Sequence, residues 1–582
     1  MSANLNGAQA MSAFAFSPTS DSCSERQSAD PLVNARRQQL RIGRVVAVSA
    51  SRIIALIESE PDSLDTGEPL TVGSLVKLNT ATSTVYGMIH GLRVPLPTSL
   101  PADDLRVAEI DLVGEVVSGA DEDGGSFQRG VSEFPTLEDA VYRASSADLA
   151  RVYARPGPDA VPIGTVHPAN AVPAYILADD LLGRHFSIVG TTGSGKSCAV
   201  VTILDSIISR NPNAHVVVLD PHSEYSRAFG EWASVLSPSS GLYLPYWLFN
   251  FDEIAEVIIG SSPHLPEQKG ILSEAILRAK KPFFKSCGLE GVGTVDTPVP
   301  YRMPDVFSYL EAALGQLSRA ESFAAYRGLQ NRLAFLQNDP RYAFAFGKKL
   351  IVRDSMADIL RQLFRIPVDG KPITILDLSE IPSEVLNVVV SVLCRLLFQF
   401  ALWSETRFPI TIVCEEAHRY APRDESLGFE PAKRALSRIA KEGRRFGISL
   451  GVVSQRPCDL AAGLLSECNT MFALRMTNQD DQEIVDSALP EGSTSLMQFL
   501  PSLRDREAIA IGEGVSMPMR IRFNLLAEER RPRTVSASFT RAWASDCDGL
   551  EVDGAVERWR HGLRDRCVAL NNGSRHVEDS PP

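Results

Sequence analysis

A glycine-rich stretch at residues 190–197 restricts the possible folds of this 582-residue chain more than any other feature. Its sequence, G-T-T-G-S-G-K-S, fits the G-x-x-x-x-G-K-[ST] pattern of loops that bind nucleotide phosphates. An apolar run at 186–189 precedes it, and a helix-like run at 198–208 follows. Glycines let backbone N–H groups turn toward phosphate oxygens, and the N-terminus of the following helix adds its positive dipole end. The stretch therefore predicts a nucleoside-triphosphate site between a strand and a helix.

Individual residues of this loop have specific expected roles. The ammonium of Lys196 is expected to neutralise charge on the β- and γ-phosphates, and the hydroxyl of Ser197 to coordinate Mg²⁺. The residues predicted to contact the nucleotide here are Gly190, Thr191, Thr192, Gly193, Ser194, Gly195, Lys196, Ser197 and Cys198.

The composition is that of an ordinary soluble globular protein, with 44% apolar and 22% charged residues. The formal net charge of −13 excludes a surface coated with nucleic-acid-binding charge, but it is compatible with a local basic channel. Nine cysteines without C-x-x-C spacing predict free thiols in a reducing cytoplasm. Polar residues break the apolar run at 385–403, which favours a buried helix over a membrane span.

Changes in residue pattern predict the domain boundaries. Residues 1–37 are rich in small and polar residues without apolar periodicity, which predicts disorder. Short alternating apolar runs in 38–130 predict a small β-barrel. A proline-punctuated connector is expected at 131–175, a nucleotide-binding core at 176–530, and a polar C-terminal arm and tail at 531–582.

Within the core, strand-like runs alternate with helical stretches, which predicts an α/β fold with a doubly wound, mainly parallel sheet. The strand-like runs lie at 186–189, 215–219, 373–378, 410–414, 448–453, 471–474 and 508–511. Mainly helical sequence at about 251–370 interrupts the alternation, and we interpret it as an insertion.

An acidic pair, Glu415 and Glu416, follows the strand-like run at 410–414. Such a pair is the usual partner of a phosphate loop. We expect Glu415 to hold the metal through water and Glu416 to orient and deprotonate the attacking water. Most proteins with this arrangement carry Asp at the first position, and strands often end in acids without catalytic roles.

Two further polar groups follow strand-like runs, and ligand sites in open α/β sheets gather at such ends. Asp220 and Glu224 are placed to lie near the γ-phosphate, although a polar turn that caps the next helix would have the same sequence. The amide of Gln455 is placed to sense the γ-phosphate or the attacking water, with a proline-containing turn as the alternative.

A basic stripe on a predicted helix has three possible explanations. Arg434, Arg438, Lys441 and Arg445 fall on one face, and Arg444 lies beside them. The stripe could be a solvated surface, cations facing DNA, or a source of an arginine for a neighbouring subunit's nucleotide. A second basic patch at 278–285 is more typical of a solvated face than of a nucleic-acid contact.

Taken together, these motifs resemble the HerA family of the HerA/FtsK hexameric DNA-pumping ATPases. The resemblance rests on five segments in the family's order, at 185–197, 220–225, 415–418, 442–450 and 454–457. The sequence Glu-Glu-Ala-His at 415–418 suits HerA better than the Asp-Glu pair of other relatives. Ser223 stands where the family usually has Gly, and the β-rich region at 41–119 looks like the family's N-terminal barrel.

The resemblance implies a RecA-like core that binds ATP and Mg²⁺, and a homo-oligomeric ring, usually a hexamer, with double-stranded DNA in its central pore. It implies that Arg444 reaches the neighbouring subunit's γ-phosphate and that Arg184 acts at its own subunit's nucleotide. The implied activity is that of a cytoplasmic ATP-driven translocase or helicase with a NurA-like nuclease partner. The alternative is a ring that assembles and activates another effector in antiphage defence. No membrane partner is expected.

Overall fold

The computed structural model describes most of the chain from residue 41 onward. The described ranges are 41–49, 52–58, 70–94, 106–117, 127–167, 172–260, 264–315, 320–348, 353–424, 426–488, 494–532, 539–543 and 552–557. The disorder predicted for residues 1–37 lies outside these ranges, as does most of the predicted C-terminal arm.

The N-terminal part is a small antiparallel barrel, as the alternating runs predicted. Its strands are β1 Arg41–Val48, β2 Arg52–Ile57, β3 Leu75–Asn79, β4 Ser83–Arg93, β5 Arg106–Val117, β6 Phe127–Arg129 and β7 Ala140–Arg143. Six of them close in the order β2-β1-β7-β3-β4-β5, because β2 pairs with β5 as well as with β1. Alternate residues of β2, namely Ile53, Ala55 and Ile57, are buried inside the barrel.

The central unit is an eleven-stranded mixed sheet. Its strands are β8 Ala160–Val166, β9 Pro173–Leu177, β10 His185–Val189, β11 Val216–Asp220, β12 Ala233–Leu236, β13 Ile373–Asp377, β14 Ile410–Cys414, β15 Ile448–Ser454, β16 Cys468–Leu474, β17 Glu507–Gly512 and β18 Met519–Phe523. Seven strands run parallel in the order β12-β13-β11-β14-β15-β10-β16. The remaining four continue antiparallel as β17-β18-β8-β9. Every residue of β10, β11, β14 and β15 is buried, as continuous apolar runs of a parallel sheet require.

The segment predicted as a connector, 131–175, differs from that description. It supplies β7 to the barrel and β8, with the start of β9, to the central sheet. Pro162 and Pro173, which suggested a connector, lie in the β8–β9 hairpin. Pro173 is in β9, the edge strand of the sheet, where a missing N–H is tolerated.

Helices connect the strands and build the insertion. They are α1 Ser146–Val152, α2 Ala178–Leu182, α3 Lys196–Ile208, α4 Phe251–Ile258, α5 Leu265–Ser286, α6 Met303–Leu314, α7 Ala320–Asn338, α8 Ala343–Phe346, α9 Met356–Phe364, α10 Ser383–Trp403, α11 Glu430–Glu442, α12 Ala462–Ser466, α13 Gln479–Ser487, α14 Thr494–Met497 and α15 Phe539–Ala542. Helices α4 to α9 occupy the region predicted as a helical insertion.

Helix α10 is long and apolar enough to cross a membrane by length and composition. However, 72% of its most apolar window is buried inside the fold, so it packs as a core helix. Its one arginine, Arg395, turns to Glu253 of α4 and forms a bidentate ion pair with a shortest N–O distance of 2.8 Å. Ser391 of the same run also donates to Glu253, so these two polar residues share a partner within the protein.

Candidate nucleotide site

The phosphate loop and the acidic motifs meet at one edge of the central sheet. Because β10, β11, β14 and β15 are parallel neighbours, their carboxyl ends lie side by side there. They surround a cavity of about 340 Å³. The predicted residues that line it are Thr192, Gly193, Gly195, Lys196, Ser197, Cys198, Asp220, Glu224, Glu415, Glu416 and Gln455.

The loop has the backbone shape that its glycines allow. Gly193 and Gly195 have φ values of 77° and 104°, in the left-handed region, and Gly195 is the N-cap of α3. The ammonium of Lys196 donates a hydrogen bond to the Thr191 carbonyl at 3.2 Å. Burial lowers the pKa of Lys196, while the carboxylates of Glu415 and Glu416 oppose that shift. A buried cation with a single neutral acceptor is suited to an entering anion.

The hydroxyl of Ser197 has a carboxylate partner in the structure. It donates to Oε2 of Glu224 at 2.6 Å. Glu224 follows β11, whereas the predicted metal partner, Glu415, follows β14. Both carboxylates line the cavity with Ser197.

Asp220 lies at the cavity, but its carboxylate is occupied by the backbone. It accepts N–H groups of His222, Glu224 and Tyr225 at 2.9 to 3.2 Å. The turn includes Ser223 with a φ of 57°, a conformation that favours the glycine found there in the family. Asp220 thus shapes the turn that presents Glu224 to the cavity.

Glu415 is buried and accepts a hydrogen bond from the hydroxyl of Tyr225. Burial raises the pKa of Glu415 to about 8, with further increases from the nearby carboxylates of Glu224 and Glu416. Sequence alone gives no role for Tyr225, although it is the last residue of the 220–225 motif. Only the folded structure shows that this tyrosine is fully buried at the end of the polar turn.

Glu416 lines the cavity and has an unusual backbone conformation. Its backbone is in the left-handed region with a φ of 50°, and its buried Oε2 has no hydrogen-bond partner among the described residues. Nδ1 of His418 lies 3.3 Å from that oxygen and is itself hydrogen bonded to the Ser454 hydroxyl at 3.1 Å. Burial raises the pKa of Glu416, and the charge of Lys196 opposes the shift. An unpaired buried carboxylate oxygen in the cavity is available to a water molecule.

Gln455 is directly connected to the phosphate loop. Its Oε1 accepts a hydrogen bond from the hydroxyl of Thr192. The hydroxyl of the neighbouring Ser454 is hydrogen bonded to His418, which lies beside Glu416. The end of β15 therefore contacts both the phosphate loop and the surroundings of the acidic pair. Gln455 therefore contacts the phosphate loop directly.

Arg184 and Arg444 lie at the other edge of the sheet. Arg184 directly precedes β10, and Arg444 lies in the short helical turn Gly443–Phe446 before β15. The phosphate loop and Gln455 follow those same strands, about 17 Å away along the five residues of β10 and about 23 Å away along the seven residues of β15. Neither arginine lines the cavity of its own subunit.

For Arg444 this position agrees with a role at a neighbouring subunit, but for Arg184 it does not agree with the predicted role at its own nucleotide. Arg184 instead forms an ion pair with Glu513 at 2.5 Å. The position before β10 was correctly recognised, but it lies at the amino end of a parallel strand, opposite to the loop.

Residues of the two basic patches contact acidic side chains, an aromatic ring and backbone carbonyls. On α11, Arg434 lies 3.5 Å from Glu430, and Arg438 lies 3.6 Å from Glu442 and 4.1 Å from the ring of Phe398. In the second patch, Lys280 is buried. Its ammonium donates to two backbone carbonyls of the insertion, so it cannot contact DNA.

The far wall of the cavity was not anticipated from the sequence. It consists of Asp505, Arg506, Leu525, Leu526, Arg531 and Pro532. These residues belong to no recognisable motif, and the sheet order β16-β17-β18 brings them beside the loop. The predicted C-terminal arm begins at residue 531, but Arg531 and Pro532 line the nucleotide cavity.

The oxygen atoms in the cavity fit a magnesium–nucleotide complex. Mg²⁺ in proteins is held by one or two carboxylates or hydroxyls together with waters and substrate phosphates. Ser197, Glu224 and Glu415 supply such oxygens beside the loop. Among the described residues no group of three or more His, Cys, Asp and Glu side chains forms a protein-only metal site.

A phosphate loop at the end of a buried parallel strand, with an acidic pair at the end of a neighbouring strand, defines a P-loop nucleoside triphosphatase. Residues 161–397 match the model of the HerA helicase central domain. The DNA double-strand break repair helicase HerA of Pyrococcus furiosus is 28% identical over 479 residues, covering 74% of this chain and 79% of that protein. The HerA helicase of Saccharolobus solfataricus is 26% identical over 392 residues, covering 66% and 71%. The chain is similar to HerA helicases over most of its length.

Among solved structures, VirB4 of Thermoanaerobacter pseudethanolicus matches with a TM-score of 0.46 and 15% identity, covering 64% of this chain and 99% of that one. The conjugative coupling protein TrwB matches with a TM-score of 0.43 and 14% identity, covering 68% and 95%.

Proposed function

We propose that the protein is an ATP-hydrolysing motor that forms a ring and moves double-stranded DNA through its centre. The observation that carries the proposal is the division of the catalytic residues between two edges of one sheet. The cavity holds the loop, the metal-side oxygens and Glu416, while Arg444 lies at the opposite edge. A second copy of the chain, packed edge to edge, would supply the missing arginine.

In the proposed reaction, Lys196 and the loop N–H groups hold the phosphates, and Ser197 with Glu224 and Glu415 holds Mg²⁺. Mg²⁺, when bound, neutralises charge between the β- and γ-phosphates. Glu416 accepts the proton of the attacking water at Oε2, and His418 keeps that carboxylate oriented. Arg444 of a neighbouring copy stabilises the charge that develops on the γ-phosphoryl group, and Gln455 reports its loss to the phosphate loop through Thr192.

The assembly is proposed to be a hexamer of RecA-like units in the cytoplasm. The HerA relatives are DNA double-strand break repair helicases, which supports DNA as the track and repair as the role. The net charge of −13 is compatible with this because only the pore lining has to attract phosphates. A NurA-like nuclease is the partner we propose, and the antiphage effector platform is the competing outcome.

The test is ATP hydrolysis by the purified protein with and without linear double-stranded DNA. The proposal predicts that DNA increases turnover several-fold and that Lys196→Ala abolishes turnover in both conditions. A circular duplex of the same sequence separates recognition of ends from recognition of duplex. Turnover that no form of DNA changes would contradict a DNA motor and would favour the effector platform, and turnover in Lys196→Ala would contradict the site itself.

A further inference from the structure

The nucleotide cavity has two chemically different ends. Glu415, Glu416 and Gln455 mark the end where the γ-phosphate and the attacking water belong. At the other end, Cys198 in the first turn of α3 lines the cavity together with the far wall formed by residues 505, 506, 525, 526, 531 and 532. Since the first turn of the helix after a phosphate loop lies beside the α- and β-phosphates, the far wall faces the nucleoside side of the ligand.

Two arginines of the far wall bring positive charge to this end. Burial raises the pKa of the Cys198 thiol, and the charges of Arg531 and Arg506 oppose that increase, which places both guanidinium groups near the start of α3. The backbone N–H of Arg506 donates to the Ser194 carbonyl of the loop at 3.1 Å, and its φ of 67° lies in the left-handed region. Nη1 of Arg506 is directed to the Phe523 carbonyl at 3.4 Å.

Arg531 has free hydrogen-bonding capacity at the cavity. Its Nε donates to the Leu526 carbonyl at 3.1 Å, and its two terminal nitrogens have no partner among the described residues. An exposed guanidinium that lines a cavity, with one nitrogen already fixed, can donate two parallel hydrogen bonds to a phosphate. Leu525, Leu526 and Pro532 beside it offer an apolar surface of the kind that nucleobases contact.

The segment that carries Arg531 is fastened to the helix of the phosphate loop. We call residues 524–532 the strap. The N–H of Asn524 donates to the Ile163 carbonyl at 3.0 Å, at the start of the strap. Near its end, Arg530 forms a bidentate pair with Asp205 of α3, with N–O distances of 2.5 and 3.2 Å, and also donates to the Ala228 carbonyl. Both side chains of the pair are about one-third exposed, so the pair fixes the strap without being deep in the core.

We infer that Arg531, positioned by the Arg530–Asp205 pair, binds the part of the nucleotide that ATP and ADP share. Arg531 is a nucleotide-binding residue in this account, and Arg530 and Asp205 are positioning residues. The inference rests on the proposed nucleotide site and adds a cation from the same subunit to it. This cation holds the product as well as the substrate, whereas Arg444 of a neighbour acts only where a γ-phosphate is present.

The experiment measures dissociation constants of fluorescent ADP and ATP, with every variant in a Glu416→Gln background so that ATP persists. Arg531→Ala is expected to weaken both nucleotides by about tenfold and by equal factors, the loss typical of one charge-assisted hydrogen-bonded contact. Arg531→Lys keeps the charge without the planar fork and should lose less. Arg522→Ala, which removes an exposed arginine on β18 outside the cavity, is the matched control and should bind as the parent does.

The positioning pair is tested by exchange of charges. Asp205→Arg and Arg530→Asp should each weaken both nucleotides, and the double variant should recover part of the loss because the ion pair is restored in reverse. Melting curves identify any variant that is unfolded, and Arg531→Lys provides the measurement if Arg531→Ala is one of them.

The outcomes separate the two proposals. Absence of nucleotide binding by the Glu416→Gln parent would overturn the proposed function. Normal binding by the parent together with unchanged binding in both Arg531 variants would overturn the inference alone. A loss confined to ATP would place Arg531 at the γ-phosphate and would also overturn it.

Discussion

At the scale of single residues, the site combines strong local motifs with contacts that only the fold creates. The roles of Lys196 and Ser197 follow from spacing alone, because a loop of fixed length places them on the phosphates and the metal. Tyr225, Arg506 and Arg531 have no comparable pattern. Tyr225 contacts Glu415, whereas Arg506 and Arg531 line the cavity. They come from segments beside different strands, and a single sequence does not encode which strand ends are neighbours.

Arg184 is a second example of what a single sequence does not predict. A basic residue beside the phosphate-loop strand was correctly noticed, but spacing in the sequence does not tell which end of the strand faces the nucleotide. The structure places it at the amino end of β10 with Glu513. The resemblance to the family therefore identified the position of Arg184 in the sequence, but it did not predict that Arg184 lies away from the phosphate loop.

Glu415 gives a pH prediction. Its pKa is about 8 in the folded protein, raised by burial from the ordinary value of 4.5. A carboxyl group with a raised folded pKa stabilises the fold fully below about pH 4.5 and loses that contribution as the pH rises through 8. Glu415→Gln mimics the protonated form. It should therefore raise the melting temperature of the nucleotide-free protein relative to the wild type at pH 8.5 and have much less effect at pH 5.5.

The comparison is made between variant and wild type at each pH, so that the other titrating groups cancel. Glu224→Gln serves as the matched control, because Glu224 lies in the same cavity and is bonded to Ser197 rather than enclosed. An effect of Glu415→Gln that is the same at both pH values would contradict the shifted pKa.

At the scale of elements, long apolar runs were predictable and short strands were not. The buried strands β10, β11, β14 and β15 stand out as continuous runs because parallel strands are covered on both faces. Strands β6, β7 and β12 are three or four residues long, too short for a period to be read. The order of the strands depends on long-range packing, which periodicity does not encode.

One buried ion pair joins the insertion to the core. Glu253 of α4 is fully buried and accepts hydrogen bonds from Arg395 and Ser391 of α10. Removal of one partner of a buried pair leaves an uncompensated charge, and Glu253→Ala is expected to reduce the free energy of unfolding by about 3 kcal/mol. Chemical denaturation measures this loss.

The double variant Glu253→Leu with Arg395→Met removes both charges and should be less destabilised than Glu253→Ala. Arg434→Met, which changes an exposed arginine in a pair with Glu430, is the control and should change stability by less than about 0.5 kcal/mol. A double variant that is less stable than the single one would show that the pair itself contributes net stability.

At the scale of the whole molecule, one subunit contains a nucleotide cavity without the arginine that would complete it. The acidic pair and the phosphate loop lie at one edge of the sheet, and Arg444 lies at the other. A ring in which the copies pack edge to edge would bring the two together at every interface. This arrangement explains how hydrolysis in one subunit would depend on the position of the next.

The most direct measurement is ATP hydrolysis by mixtures of two inactive variants, Arg444→Ala and Glu416→Gln, in rings shown by mass spectrometry to contain both. With equal amounts and random assembly, about one quarter of the interfaces pair an intact Glu416 with an intact Arg444 of the neighbour. The account predicts hydrolysis in the mixture well above that of either variant alone. A mixture of Lys196→Ala and Glu416→Gln is the control and should stay inactive, because both changes affect the same side of the interface. Mixed rings of Arg444→Ala and Glu416→Gln that are as inactive as their components would contradict a site completed by a neighbouring subunit.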